Sequence, residues 1–270
     1  MSIVVVPVGT EVYQCDAPSC KGRGYSWSQA ELTSALASDV LPEVQDLEGR
    51  AEIVSMFADL SLTGFETTRL NEVLSSSESP KTWRIGEAIA SVYLASHRNC
   101  RFPWDDSRDI RKPKSSLPGA DLVGFSNAGE DCRFAFGEVK TSSENAYPPQ
   151  VMAYSGDGLA AQMKDLRDNA LIRNRLLIYL GFRAKSSTWT DDFKSATRKY
   201  LNDPMDVRIF GVLVRDVSPS ELDLKKRVSQ LSAGNCAPLK MEAVALYLPS
   251  GAIDNLPALC ESIERGDVTC

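Results

Sequence analysis

Hydrophobic positions along the 270 residues keep two rhythms, and the switches between them predict the elements. A β-branched run, Ile3-Val4-Val5-Val6, opens the chain, and Pro7 behind it marks an edge strand. Residues 28–40 and 46–60 read as helices, the second with Ile53, Val54, Phe57 and Leu60 at helical spacing. SSSESP at 75–80 reads as a linker. TWRIGEAIASVYLASHR is then an amphipathic helix whose Trp83, Ile89, Val92 and Tyr93 face inward, and RFPWDDSRDIRKPKSSLPGA is a basic, proline-containing loop.

Beyond that loop, DLVGF at 121–125 and CRFAFGEVK at 132–140 flank SNAGED, a hairpin pattern. Residues 157–173 read as a helix and LLIYLGF at 176–182 as a buried strand. A helix near 190–201, a strand at 207–215, a helix near 219–231, a strand at 241–248 and a helix at 252–264 complete the chain. This order predicts an α/β fold, a mixed central sheet flanked by helices.

Charge divides the chain. Residues 1–80 carry 4 Lys/Arg against 12 Asp/Glu, an acidic accessory lobe preceding a core at 81–270. Basic segments at 81–114 and 161–200 flank an acidic one at 115–160, a positive rim around carboxylates. The overall net charge of −6 argues against a free-standing, tight nucleic-acid binder, which needs surplus cations for phosphate. No apolar run approaches the ~18 residues of a membrane span. The N-terminus lacks the pattern of a secretory signal, so the expected location is cytoplasmic. Seven cysteines without a CxxC pair read as reduced, packed thiols. The single histidine, His97, sits at a helix end and reads as a cap rather than a catalyst. Any chemistry should therefore rest on carboxylates and lysine.

Those groups cluster in one stretch: Pro118-Gly119-Ala120-Asp121, sixteen residues, then Glu138-Val139-Lys140. Strand periodicity puts Glu138 and Lys140 on one face of an otherwise apolar strand, where charge is costly unless it is paired or bound to metal. Asp121 opens the partner strand and reaches the same point. Converging carboxylate oxygens suit Mg2+ or Mn2+, and a nearby ammonium suits a phosphoryl oxygen or a metal-bound water.

Asp121…Glu138-Val139-Lys140 resembles the motif of the PD-(D/E)xK nucleases, the restriction-endonuclease-like group, across roughly residues 82–215. Gly119 and Ala120 between Pro118 and Asp121 are a departure from the pattern. The resemblance implies Mg2+-dependent hydrolysis of DNA, with Asp121, Glu138, the Val139 carbonyl and Glu87 around the metal. It gives Lys140 the attacking water, to position or deprotonate, and places Gln162 of the following helix near the site. Arg101, Arg111, Lys112, Lys114, Ser142, Lys164 and Arg167 are candidate nucleic-acid contacts, with Phe102 and Trp104 interleaved among the loop's cations.

The acidic N-terminal segment, WRIGEAIASVYL and PGADLVGF…FGEVKTSSE are also similar to the nuclease subunits of Hachiman anti-phage defence (HamA-like). That likeness implies an effector nuclease regulated by a helicase partner. The chain itself has no P-loop. Two alternatives stand beside this reading: a non-catalytic DNA- or partner-binding subunit on the same fold, and an RNA-cleaving nuclease.

Overall fold

The computed structural model describes residues 6–57, 63–75, 80–109, 119–127, 129, 131–234 and 237–267. The chain runs through β1 (Thr10–Ala17), β2 (Cys20–Ser26), α1 (Gln29–Ala35), α2 (Leu41–Val44), α3 (Leu47–Met56), α4 (Gly64–Ser75) and α5 (Thr82–Arg98). Next come β3 (Cys100–Arg101), β4 (Leu122–Ser126), β5 (Arg133–Ser142), α6 (Gln150–Ala153), α7 (Leu159–Asp168), α8 (Ala170–Ala184) and α9 (Thr190–Asn202). It ends with β6 (Arg208–Arg215), α10 (Lys225–Ser232), β7 (Lys240–Tyr247) and α11 (Ala252–Glu264).

The strands form one seven-stranded mixed sheet in the order β1-β2-β7-β6-β5-β4-β3. The inner neighbours β2, β7, β6 and β5 run parallel, and the outer pairs are antiparallel. Parallel strands must be buried on both faces, which is why β6 and β7 read as near-continuous apolar runs. One face, carrying Val139, Val212, Val214, Val244 and Leu246, packs against α1, α2, α5 and α11. The other, carrying Phe134, Phe136, Ile209, Leu213 and Ala245, packs against helices α7 to α10. The expected α/β class and helix-covered mixed sheet are what the chain forms.

Several sequence expectations need correction. LLIYLGF is not a strand but lies inside α8. A strand would put residues 176, 178, 180 and 182 on one face. Instead Leu176 and Leu180 are buried while Ile178 and Phe182 are 56% and 80% exposed, a helical stripe. The expected helix at 157–173 is two helices. Asn169 ends α7 and caps α8, accepting from the Leu171 N–H at 3.0 Å. The buried Arg173 guanidinium donates to the Leu166 and Arg167 carbonyls at 2.6 Å each, satisfying the end of α7. Trp83 does not face inward and is 48% exposed, because the buried stripe of α5 runs through Ile85, Ile89, Val92 and Tyr93. The expected helix at 28–40 is interrupted by a π turn at Leu36–Val40 ahead of Pro42, which lacks an N–H to donate.

The hairpin of β1 and β2 carries no strong alternation and was not expected. It lies within the acidic N-terminal segment, and β2 pairs with β7 in the common sheet. Ile3, Val4 and Val5 of the expected first strand, Leu60, and positions 76–79 of the linker lie outside the described residues. Val6 is buried, and its carbonyl sits 2.9 Å from His97 Nε2. Burial pulls the His97 pKa down, which disfavours the cationic cap expected there. The five described cysteines are free thiols. Among the described residues no helix is long and apolar enough to cross a membrane.

A carboxylate–lysine site beside the start of strand β4

The site grows out of a mismatch in strand length. The last ladder pair of β4 with β5 is Leu122↔Gly137, so β5 runs on past the start of β4. Val139 therefore presents its backbone to that side with no strand opposite, and its N–H donates to Asp121 Oδ2 at 2.8 Å. In a strand the N–H and C=O of one residue point the same way, so the Val139 carbonyl faces the Asp121 side as well. The Pro-Gly-Ala departure has a local reason: Gly119 takes φ +128°, and a Cβ there would lie 2.8 Å from the Leu176 side chain.

Glu138 and Lys140 alternate with Phe134 and Phe136 onto the face covered by α7. Glu138 is 1% exposed, and its Oε2 has no hydrogen-bond partner. Lys140 Nζ stands 4.0 Å from that oxygen, too far for a hydrogen bond, and its side chain reaches partly into solvent. Burial raises the Glu138 pKa to about 9, helped by the neighbouring Asp121 charge and a hydrogen bond to Asp121 and opposed by Lys140. Burial and the Asp121 charge thus favour the protonated carboxyl. Two carboxyl groups share this point with one ammonium.

The two helices flanking β5 bring further groups. On α7, Gln162 shares the inward stripe of Leu159, Met163 and Leu166, and its buried Oε1 also has no partner. On α5, Gly86 lets the helix lie against β5, where a Cβ would run into Thr141 Oγ1. Glu87 follows it, 3.5 Å from Arg84, and adds the smallest of the charge effects that raise Glu138. Arg84 also pairs with Asp105. Asp121, Glu138 and Lys140 thus come together as expected, Glu87 acts on Glu138 from α5, and Gln162 lies on the helix that covers the same face.

Among the described residues no group of three or more His, Cys, Asp or Glu side chains is placed to hold a metal ion. The donors at this point are two carboxylates and a backbone carbonyl. That all-oxygen set fits Mg2+, which keeps several waters and binds through one or two carboxylates plus substrate phosphate. The orphaned Glu138 Oε2 is the observation that favours the fit.

The expected nucleic-acid contacts fare differently. Arg167 is buried and donates to the Leu231 and Ala233 carbonyls at 2.6 and 3.0 Å, so it holds α7 to α10 rather than reaching a phosphate. Ser142 is buried too, its Oγ accepting from the Glu144 N–H at 3.2 Å. Arg101 lies 3.5 Å from Asp192, and Lys164 3.3 Å from Asp168. Trp104 is pinned, donating to Asp109 at 2.9 Å between the guanidiniums of Arg108 and Arg183. Arg108 is bound in turn by Asp46, from the acidic segment. Arg111, Lys112 and Lys114 lie outside the described residues.

A second buried constellation escaped the sequence reading. Arg215, at the end of β6, donates to Asp223 at 2.9 Å and to the Ala146 carbonyl at 3.2 Å. The available signal was an arginine closing the apolar run VRIFGVLVR, where an unpaired charge would not be tolerated. No protein-family model matches the chain, and no curated protein matches it.

Proposed function

We propose that the protein is a Mg2+-dependent deoxyribonuclease of the PD-(D/E)xK type, with Asp121, Glu138, the Val139 carbonyl and Lys140 as its working groups. The observation that carries this reading is the buried Glu138 carboxyl beside Asp121, whose Oε2 has no hydrogen-bond partner and lies 4.0 Å from the partly exposed Lys140 ammonium. A carboxyl raised to about 9 is a poor structural element and a good ligand in waiting, because a divalent cation would displace its proton.

Asp121 and Glu138 would hold the cation, which when bound supplies Lewis acidity to a phosphoryl oxygen. Asp121 is oriented by the Val139 N–H, so its second oxygen keeps a fixed direction. Lys140 donates to the attacking water or to the phosphoryl oxygen and holds it in line. Gln162 brings a buried acceptor to the same face of β5, suited to a water or to the leaving side of the substrate. Glu87 tunes the site's charge from α5.

Delivery of DNA falls to a partner in this reading, a helicase-type motor in an anti-phage defence complex. The support is electrostatic: the chain is net −6, and Arg101, Arg108 and Arg183 are already paired with the protein's own carboxylates.

Incubation of plasmid, linear duplex and single-stranded RNA with the protein, with and without Mg2+, tests the activity. DNA cleavage that requires Mg2+ and is lost in folded Glu138→Ala and Lys140→Ala variants is the expected result. Cleavage that survives both substitutions removes the assignment, and cleavage confined to RNA replaces the substrate.

A further inference from the structure

Two surfaces far apart in sequence leave large apolar side chains in solvent. On α8, Leu171, Ile178 and Phe182 recur at seven and four residues, a single outward stripe opposite the buried Leu176 and Leu180. Beside it α8 and α9 enclose a cleft of about 420 Å³, walled by Ile178, Gly181, Phe182 and Phe193, with Lys185 and Lys194 at its rim. The exposed charges on these two helices and at the α8 C-cap are Arg175, Lys185, Lys194 and Arg198 against Asp191 alone.

A second set of exposed apolar side chains lies on α3 and α4. Met56, Phe65 and Val73 are well exposed, and Ile53 and Val54, expected from their helical spacing to be packed, also face solvent in part. The exposed charges here are reversed: Glu48, Glu52, Glu66 and Glu72 against Arg69. Clustered exposed apolar groups of this size mark interaction surfaces. One is framed by cations and the other by anions, so each repels its own kind and fits the other.

We propose that the protein associates head to tail with a second copy of itself, the acidic helix α4 with its exposed Phe65 seating in the basic cleft between α8 and α9. Phe65, 80% exposed, is the natural anchor for that cleft, and Phe182, equally exposed, is its natural neighbour. Such a contact is heterologous: each copy keeps one unused surface of each kind, so assembly proceeds to a ring or a short filament rather than stopping at a two-fold dimer. Neither surface includes Asp121, Glu138 or Lys140, so the proposal stands apart from the nuclease reading.

Sedimentation velocity on the full chain, over a concentration series at low and at high salt, tests it. The expected result is growth in mass with concentration that weakens as salt screens the complementary charges. Phe65→Asn and Phe182→Asn each remove one apolar anchor from an exposed position and leave the charges alone. Each should weaken association at least about ten-fold, the value of burying one aromatic side chain. Mixed in equal amounts, the two variants retain one intact surface of each kind between them. They should recover a dimer that grows no further. A protein that stays monomeric throughout, an association that either variant leaves intact, or a mixture that remains monomeric would overturn the proposal.

Discussion

Two ionic constellations are buried on the same face of the same sheet, a few residues apart in register. At the end of β6 and β7, Arg215 and Asp223 are wholly buried, and nearly every polar atom is used. Tyr247 donates to the second Asp223 oxygen at 2.7 Å, and its hydroxyl is 2.8 Å from that of Tyr13. Arg215 also donates to the Glu144 and Ala146 carbonyls, leaving only Nε without a partner. On β5 the corresponding groups are Glu138 and Lys140, 4.0 Å apart, with Glu138 Oε2 unpartnered. Burial raises the carboxyl pKa at both places, but at Asp223 hydrogen bonds from Tyr247 and Arg215 and the Arg215 charge oppose it, while Asp121 reinforces it at Glu138. One constellation is finished and the other is not. A buried network with its partners in place stabilises a fold and fixes loops. One with an orphaned carboxyl oxygen costs stability.

The largest effect expected is therefore at Arg215. Arg215→Met leaves Asp223 as an uncompensated buried charge and releases the loop that follows β5. Urea unfolding should find a loss of roughly 3–5 kcal/mol. A loss below about 1 kcal/mol would erase the contrast, because the network would then contribute no more than an exposed pair.

At Glu138 the sign should reverse. The folded pKa of about 9 lies above that of an exposed glutamate, so the fold favours the protonated carboxyl. Its contribution is fully present below the unfolded pKa, near 4.3, and is lost as pH rises towards about 9. Glu138→Gln keeps the shape of the protonated form at every pH. The variant should match the parent near pH 4 and exceed it increasingly as pH rises towards about 9. Thermal melts across pH in the presence of a chelator would measure this, and a pH-independent difference would contradict the assigned burial cost.

Much of this contrast was legible in the residues. The hairpin of β4 and β5 follows from two apolar runs around turn formers, and period two then forces Glu138 and Lys140 onto one face. Asp121 needed only to open the neighbouring strand. Arg167 was misjudged because a cation on an amphipathic helix reads as solvated, whereas here it reaches backwards to the end of α10. LLIYLGF was misjudged because a short apolar run carries no period of its own, and the neighbours that reveal one, Arg173 and Ala184, are buried at helical spacing. The Arg215 network joins residues from four distant segments, so no local spacing could announce it.

A smaller effect is expected at Asp121. Asn keeps an oxygen to accept the Val139 N–H, now 2.8 Å away, so the local backbone should hold. What Asp121→Asn removes is charge. In the proposed site, calorimetric titration should find Mg2+ binding about ten-fold weaker, with the unfolding midpoint unchanged in the absence of metal. Glu87→Gln should weaken binding less, since Glu87 is already engaged with Arg84 and acts on Glu138 only at a distance. Equal losses in the two variants would place Glu87 beside the metal instead.

The smallest change in stability should come from Lys140, and it separates the two constellations most cleanly. Its ammonium lies 4.0 Å from Glu138 Oε2, beyond hydrogen-bond range, and its side chain is 24% exposed. A pair at that separation with access to water contributes little, within about 1 kcal/mol of nothing. Burial also favours the protonated Glu138 carboxyl, which leaves less charge for Lys140 to balance. Lys140→Met keeps the aliphatic stem over β5 and deletes only the ammonium. The folded protein should therefore melt within a few degrees of the parent, while DNA cleavage, on the reading proposed for this site, should disappear. The matching substitution at the finished network, Arg215→Met, should do the reverse in kind, with unfolding as the primary defect. A Lys140→Met protein that unfolds as readily as Arg215→Met would make the β5 lysine one more structural ion, and the orphaned carboxyl beside it would need another explanation.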